Sequence, residues 1–204
     1  MKDNYAIQVQ QAKQRFLAYD QEALCRKLNL RNDRDYLYAA LFSESYRIHR
    51  RDGDFSRLGA KGWEDANSYG EVMTLLDLIC DSREDRSISG RWKNMREFGS
   101  LFYSNKADPT RDPDAEFFAA DTEAFAAACR RLGGKPLPQG DVGYAIEVFD
   151  GLLIGLQLWL GDDEFPSQLK LMWDANALQY LRFETMHFAV GLLMRLLKEE
   201  MKRI

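Results

Sequence analysis

The chain has 204 residues, of which 46% are hydrophobic and 29% charged, with a formal net charge of -4 and a sequence pI near 5.3. This is the composition of an ordinary globular protein long enough to enclose one substantial core, so residues 1–204 are read as a single domain. An acidic balance lacks the basic footprint that phosphate backbones reward, no apolar run reaches the roughly 18–20 residues of a membrane helix, and Met1-Lys2-Asp3-Asn4 opens no signal peptide. The expectation is a cytoplasmic protein that engages neither nucleic acid nor membrane.

Tyr5, Val9, Ala12 and Phe16 fall on one stripe at helical spacing, and Asp20 is placed to cap a second short helix carrying Leu24 and Leu28. From Asp35 the period changes to two. Tyr36–Phe42 and Tyr46–Arg50 read as a hairpin with a short turn near Ser43, ending at Asp52-Gly53. Ser68-Tyr69-Gly70-Glu71 has capping-box spacing and opens Val72–Cys80, a helix apolar on nearly every side and therefore buried.

Periodicity is lost over residues 83–113, which collect Arg83, Arg86, Arg91, Lys93, Arg96 and Arg111 and read as a long irregular connection. A helix over 114–132 follows, stopped by Gly133-Gly134. Asp150-Gly151 between Tyr144–Phe149 and Leu152–Leu160 is the pattern of a type I′ hairpin, and its second strand is apolar enough to lie mid-sheet. Gln168–Trp173 returns as a strand, and Phe183, Met186, Val190, Leu193, Leu197 and Met201 stripe a long closing amphipathic helix. Helices and antiparallel strands are segregated, so the class is α+β: an antiparallel sheet of about five strands packed against several helices.

Cys25, Cys80 and Cys129 each sit in a helical pattern with no Cys-x-x-Cys pair, which reads as three buried thiols and no metal site. Asp162, Asp163 and Glu164, between Trp159 and Phe165 and with Asp141 and Asp174 at other strand ends, offer carboxylates to a divalent cation or to acid–base work. Turn chemistry explains the same residues more simply. Arg47, His49 and Arg51, near Arg57 and Lys61, together with Arg91, Lys93 and Arg96, offer an anion site, against the alternative of an edge strand kept charged to prevent pairing. His187 reads as a hydrogen-bonded core histidine, and Trp63, Trp92, Trp159 and Trp173 as core, with a ligand pocket as the alternative. No nucleophile elbow, zinc-protease helix, Walker loop or dinucleotide fingerprint is present.

Several segments carry a resemblance: Gly140-Asp141, Trp159-x-Gly161-Asp162-Asp163-Glu164-Phe165-Pro166, Leu171-Met172-Trp173-Asp174 and Leu181-Arg182-Phe183-Glu184-Thr185 in the second half. Tyr19-Asp20, Ala66-Asn67-Ser68-Tyr69, Cys80-Asp81-Ser82 and Ser89-Gly90-Arg91-Trp92 carry it in the first. The chain resembles a family of uncharacterised bacterial proteins, domain of unknown function 3786. The resemblance implies a bacterial, anaerobe-associated, cytoplasmic protein and transfers no activity, substrate or catalytic residue. The resemblance extends to some relatives with an added cysteine-rich segment suited to an iron–sulfur cluster, which this sequence lacks; the cofactor stays unassigned.

Three functional readings follow in order. The first is a small-molecule or cofactor-binding protein whose pocket combines the sheet, the irregular segment and the acidic loop, with Asp141, Trp159, Asp162, Asp163, Glu164, Arg91 and Trp92 as ligand-binding residues. The second is a protein-interaction module, binding a protein partner or a second copy of itself. The third is a metal-assisted hydrolase using the acidic loop over 162–164.

Overall fold

The computed structural model describes residues 4–99 and 112–204. In chain order the elements are α1 (Asn4–Ala18), α2 (Gln21–Leu28), β1 (Tyr36–Leu41), β2 (Glu44–His49), β3 (Phe55–Gly59), β4 (Gly62–Asp65) and α3 (Tyr69–Asp81). These are followed by β5 (Trp92–Asn94), α4 (Pro113–Ala119), α5 (Thr122–Arg131), β6 (Lys135–Pro136), β7 (Val142–Phe149), β8 (Leu152–Trp159), β9 (Gln168–Asp174) and α6 (Phe183–Met201). The fold is α+β, with two antiparallel sheets: β1-β2-β3-β4, and β5-β9-β8-β7-β6.

The chain divides into two compact units, one running to Ser87 and adding Leu178–Leu192, the other formed by Ile88–Ala177 and Leu193–Ile204. In the first unit, Asp20 caps α2 by accepting the amides of Glu22 and Ala23. The β1–β2 turn places Phe42 (φ 52°) and Ser43 (φ 63°) in the left-handed region, the type I′ geometry reached without glycine. Leu37, Leu41, Tyr46, Ile48 and Phe55 form the buried sheet face. The Tyr46 hydroxyl donates to Glu71 of α3 at 3.2 Å, and buried Lys13 of α1 donates to Asp54 and Asn67, each at 2.6 Å. Ser68 caps α3 in backbone geometry only: its hydroxyl donates to Glu71 at 2.5 Å instead of accepting a helix amide, so a side-chain bond between the two residues stands in place of the expected capping box.

Three elements differ from the sequence reading. Residues 83–113 are not irregular throughout, because Trp92–Asn94 pairs with β9 as an edge strand. The chain does not leave the sheet at Gly53; Phe55–Gly59 and Gly62–Asp65 add a second hairpin, so the strands divide between two sheets instead of one. The single helix expected over 114–132 is α4 and α5, because Asp121 accepts the Ala124 amide and starts a new helix.

In the second unit, Asp150 (φ 49°) and Gly151 (φ 82°) make the expected type I′ turn, and β8 is the central strand. Phe118 of α4 stacks on Phe125 of α5 with ring centroids 4.7 Å apart. Lys198 of α6 pairs with Asp114 of α4 at 2.5 Å. The buried face of α6 is wider than a single stripe, taking in Met186, Ala189, Leu192, Leu193, Leu196 and Leu197. His187 is half-buried, with its ring edge-on to Phe183 at 5.3 Å, and burial lowers its pKa. Among the described residues no helix is long and apolar enough to cross a membrane.

Candidate functional site

The acidic loop after β8 is closed by its own backbone. The Asp162 carboxylate accepts the amides of Glu164 and Phe165, both at 2.8 Å, and these bonds hold its pKa below the usual range. Asp163 and Glu164 are exposed. Asp141 accepts the Leu160 amide at 2.7 Å, and Lys170 lies over the Trp159 ring at 5.3 Å. Asp141, Trp159 and the loop therefore share one end of the sheet. Arg91 and Trp92 lie at the other: Trp92 pairs with Asp174, whereas Trp159 pairs with Gln168, six residues along β9 or roughly 20 Å away. Trp92 lies across to Gly155 of β8, where an added Cβ would come within 3.3 Å of its ring. Of the irregular segment, residues 100–111, with Arg111, lie outside the described residues. Among the described residues, no group of three or more His, Cys, Asp or Glu side chains could hold a metal ion.

Ser89-Gly90 and Asp174, two further segments of the resemblance, lock onto each other. Buried Asp174 accepts the Ser89 and Gly90 amides at 3.1 and 2.8 Å, the Ser89 hydroxyl at 3.0 Å and the Asn176 amide at 2.8 Å. Four donors on one carboxylate fasten the loop before β5 to the end of β9, which accounts for Asp174 structurally.

Three other segments of the resemblance meet in the first unit and make a cleft. Tyr19 follows the end of α1. Cys80 and Asp81 are the last two residues of α3, where Ser82 leaves the helix in an extended conformation. Leu181 and Arg182 precede α6, and their stretch is held by Gln179, whose carbonyl accepts the Arg83 amide at 2.8 Å and whose side chain accepts the Ser87 amide at 2.9 Å. The cleft is about 560 Å³ and is lined by Tyr19, Cys80, Asp81, Leu181, Arg182 and Phe183. A second hollow, also about 560 Å³, shares Tyr19 and adds Lys27 and Glu84.

Beside this cleft runs an ionic network. Asp77, the one charged residue along the buried middle of α3, accepts from Arg15 at 2.5 Å and from the Thr185 hydroxyl at 2.6 Å. Arg15 also reaches Asp81 at 3.3 Å, and Arg182 Nε pairs with Asp81 at 2.9 Å. Lys27 donates to the carbonyls of Cys80 and Ser82 at 3.3 and 2.9 Å, so cations gather where the α3 dipole is negative. Burial pushes the Asp81 carboxyl up from its ordinary value, with Arg15 and Arg182 pulling against it. Burial also raises the Cys80 thiol to about 12, which keeps it protonated and poorly nucleophilic.

A family model described as domain of unknown function (DUF3786) matches residues 20–196. The chain belongs to that family. No curated protein and no solved structure matches the chain. The matched span includes Asp77, Asp81 and Arg182, while Arg15 and Tyr19 lie just before it. Arg15, Asp77 and Thr185 were not singled out as site residues by sequence reasoning; a carboxylate inside an otherwise apolar helix was the signal for Asp77.

The cationic candidate separates. Arg47 and His49 share the outer face of the first sheet, Arg57 turns to the other face toward Glu44 and Glu71 at 3.9 Å, and Lys93 belongs to β5 with Arg91 just before it. β2 pairs with β1 on one side and β3 on the other, so edge protection does not explain the charge it carries.

Proposed function

We propose that this protein binds a small molecule, and that its site is the cleft formed by Tyr19, Cys80–Asp81 and Leu181–Phe183. The observation that carries the reading is the ionic network of Arg15, Asp77, Asp81 and Arg182 beside a cleft of about 560 Å³. Desolvating an ion costs several kcal/mol, and charged groups with perturbed pKa values at a concave surface concentrate at ligand sites. Tyr19, Leu181 and Phe183 supply apolar contacts, while Asp81 and Arg182 make the lining more polar than apolar, which suits a polar ligand whose charged groups fix its orientation.

Arg182 gives Nε to Asp81 while its side chain stays 56% exposed, which suits it to receive a carboxylate or phosphate. Asp81 accepts from a hydroxyl or amine. The ligand class is thus a small organic acid that also carries a hydrogen-bond donor. The same reading keeps the protein in the cytoplasm of a bacterium, supported by three buried free thiols, and away from nucleic acid, supported by its net charge of -4.

The test is a thermal-shift screen of hydroxy, keto and amino acids against the full chain. A ligand at a hundred times its dissociation constant adds about 2.7 kcal/mol, worth several degrees in a chain this long. The Arg182→Gln variant is expected to erase the shift. A flat screen, or a shift unchanged in R182Q, would overturn the assignment.

A further inference from the structure

The outer face of the four-stranded sheet carries an organised cationic and aromatic surface. Alternation along the strands puts Tyr36 and Tyr38 of β1, Arg47 and His49 of β2 and Trp63 of β4 on the face opposite the buried Leu37, Tyr46, Ile48 and Phe55. The Arg47 guanidinium lies between two rings, 4.3 Å from Tyr36 and 4.7 Å from Trp63. Arg31 lies over Tyr38 at 4.5 Å, and the Tyr38 and Trp63 rings are 6.1 Å apart. A guanidinium stacked on a ring has its plane fixed, so part of the ordering cost of binding an anion is already met.

The charges here are not used up within the unit. Among the described residues, Arg31 and Arg47 make stacking contacts and no ion pair, and Arg47 Nε is buried with no hydrogen-bond partner. The neighbouring carboxylates bond to other groups, although Arg31 also attracts Asp33 electrostatically without a direct ion pair. Asp33 accepts the Tyr38 hydroxyl at 2.7 Å and the amides of Asp35 and Tyr36; Asp52 holds His49 at 2.8 Å; Asp65 holds Asn67 at 2.6 Å. Between Arg31, Tyr38, Ser45, Leu58 and Trp63 lies a cleft of about 390 Å³, inside the range of roughly 300–1,000 Å³ typical of small-molecule sites. Leu58, 48% exposed, gives it an apolar side.

We propose that this face binds a mononucleotide, with the planar base seated against Trp63, Tyr38 and Leu58 and the phosphate held by Arg31 and Arg47. Each half of the surface needs its half of the ligand: a bare ring leaves two guanidinium groups unneutralised, and inorganic phosphate gains nothing from the rings. A single nucleotide fits better than a strand, because exposed Glu64 and Asp65 on β4 and the net charge of -4 oppose a polyanion. The site is separate from the cleft at Asp81 and Arg182.

The experiment is calorimetric titration of the full chain with AMP, adenosine, inorganic phosphate and a single strand of about ten nucleotides. AMP is expected to bind, with adenosine and phosphate each at least roughly tenfold weaker, and Arg47→Gln and Trp63→Leu each lowering AMP affinity by roughly tenfold or more. Trp63→Phe keeps a ring and Arg47→Lys keeps only the charge; the first is expected to retain most of the affinity and the second to lose much of it, which serves where W63L or R47Q fails to fold. R182Q is expected to bind AMP as the parent does, so failure of one site is not failure of the other. The proposal is overturned if AMP, GMP, CMP and UMP all fail to bind, if AMP affinity survives R47Q or R47K unchanged, or if the single strand binds far more tightly than the mononucleotide.

Discussion

Asp77 is the position at which the ionic network is most exposed to test. Its side chain is 6% exposed and satisfies two partners at once, Arg15 at 2.5 Å and Thr185 at 2.6 Å. Removing one partner of a buried ion pair costs about 3–5 kcal/mol, since the other charge is left desolvated. Arg15 is 29% exposed and keeps Asp81 at 3.3 Å, so Asp77→Ala belongs at the low end, about 3 kcal/mol. Thr185→Val removes one hydrogen bond to a carboxylate and should cost about 1.5–2 kcal/mol. In the Asp77→Ala background that hydroxyl has already lost its acceptor, so the two changes should combine to much less than their sum, with a coupling of about 1.5 kcal/mol. Urea unfolding followed by far-UV circular dichroism measures all four corners of the cycle, with m unchanged if the native and denatured states keep their compactness. For a chain this long D77A should also lower Tm by about 6–12 °C. Losses below about 1 kcal/mol for D77A, or a Thr185→Val cost that is the same in both backgrounds, would refute the reasoning.

Cys25, Cys80 and Cys129 are buried, and burial raises all three thiols, Cys80 and Cys129 to about 12. At pH 8 an aromatic disulfide reagent should therefore label none of them promptly in native buffer and all three in denaturant; a fast-reacting thiol in the native state would contradict this. Asp162 has a depressed pKa in the folded chain, so its contribution to stability is present above the ordinary carboxylate range and lost as pH falls through the folded value. Melting curves should show Asp162→Ala below the parent at neutral pH and level with it in strong acid, with Asp163→Ala and Glu164→Ala unchanged throughout. Equal effects of all three, together with a rise in Tm on adding magnesium or calcium, would restore the loop as a cation site.

Much of the fold is written locally. The apolar stripe of α1, the Asp20 cap of α2, the mostly apolar α3, the Asp150-Gly151 turn and the long α6 are each set by residues within a few positions of one another, because helix and strand periods, caps and turns are short-range physics. Local rules also existed where the sequence reading went past them: Asp121 divides α4 from α5, and Phe55-Ser56-Arg57-Leu58 before Gly59-Ala60-Lys61-Gly62 marks the second hairpin. Periodicity could not say that the strands would divide between two sheets, since pairing is a contact between distant segments.

The sites depend on tertiary structure to a greater degree. Consecutive acidic residues at 162–164 were conspicuous in sequence, yet the backbone takes up Asp162 in a turn. Arg15 meets Asp77 and Asp81 across more than sixty residues, and Thr185 meets Asp77 across more than a hundred. Sequence determined that the helix carrying Asp77 would be buried, because it is apolar on nearly every side. Only the folded chain decided that Asp77 would be paired there, because a buried charge is stable only with partners, and those partners are brought to it by the packing of other elements.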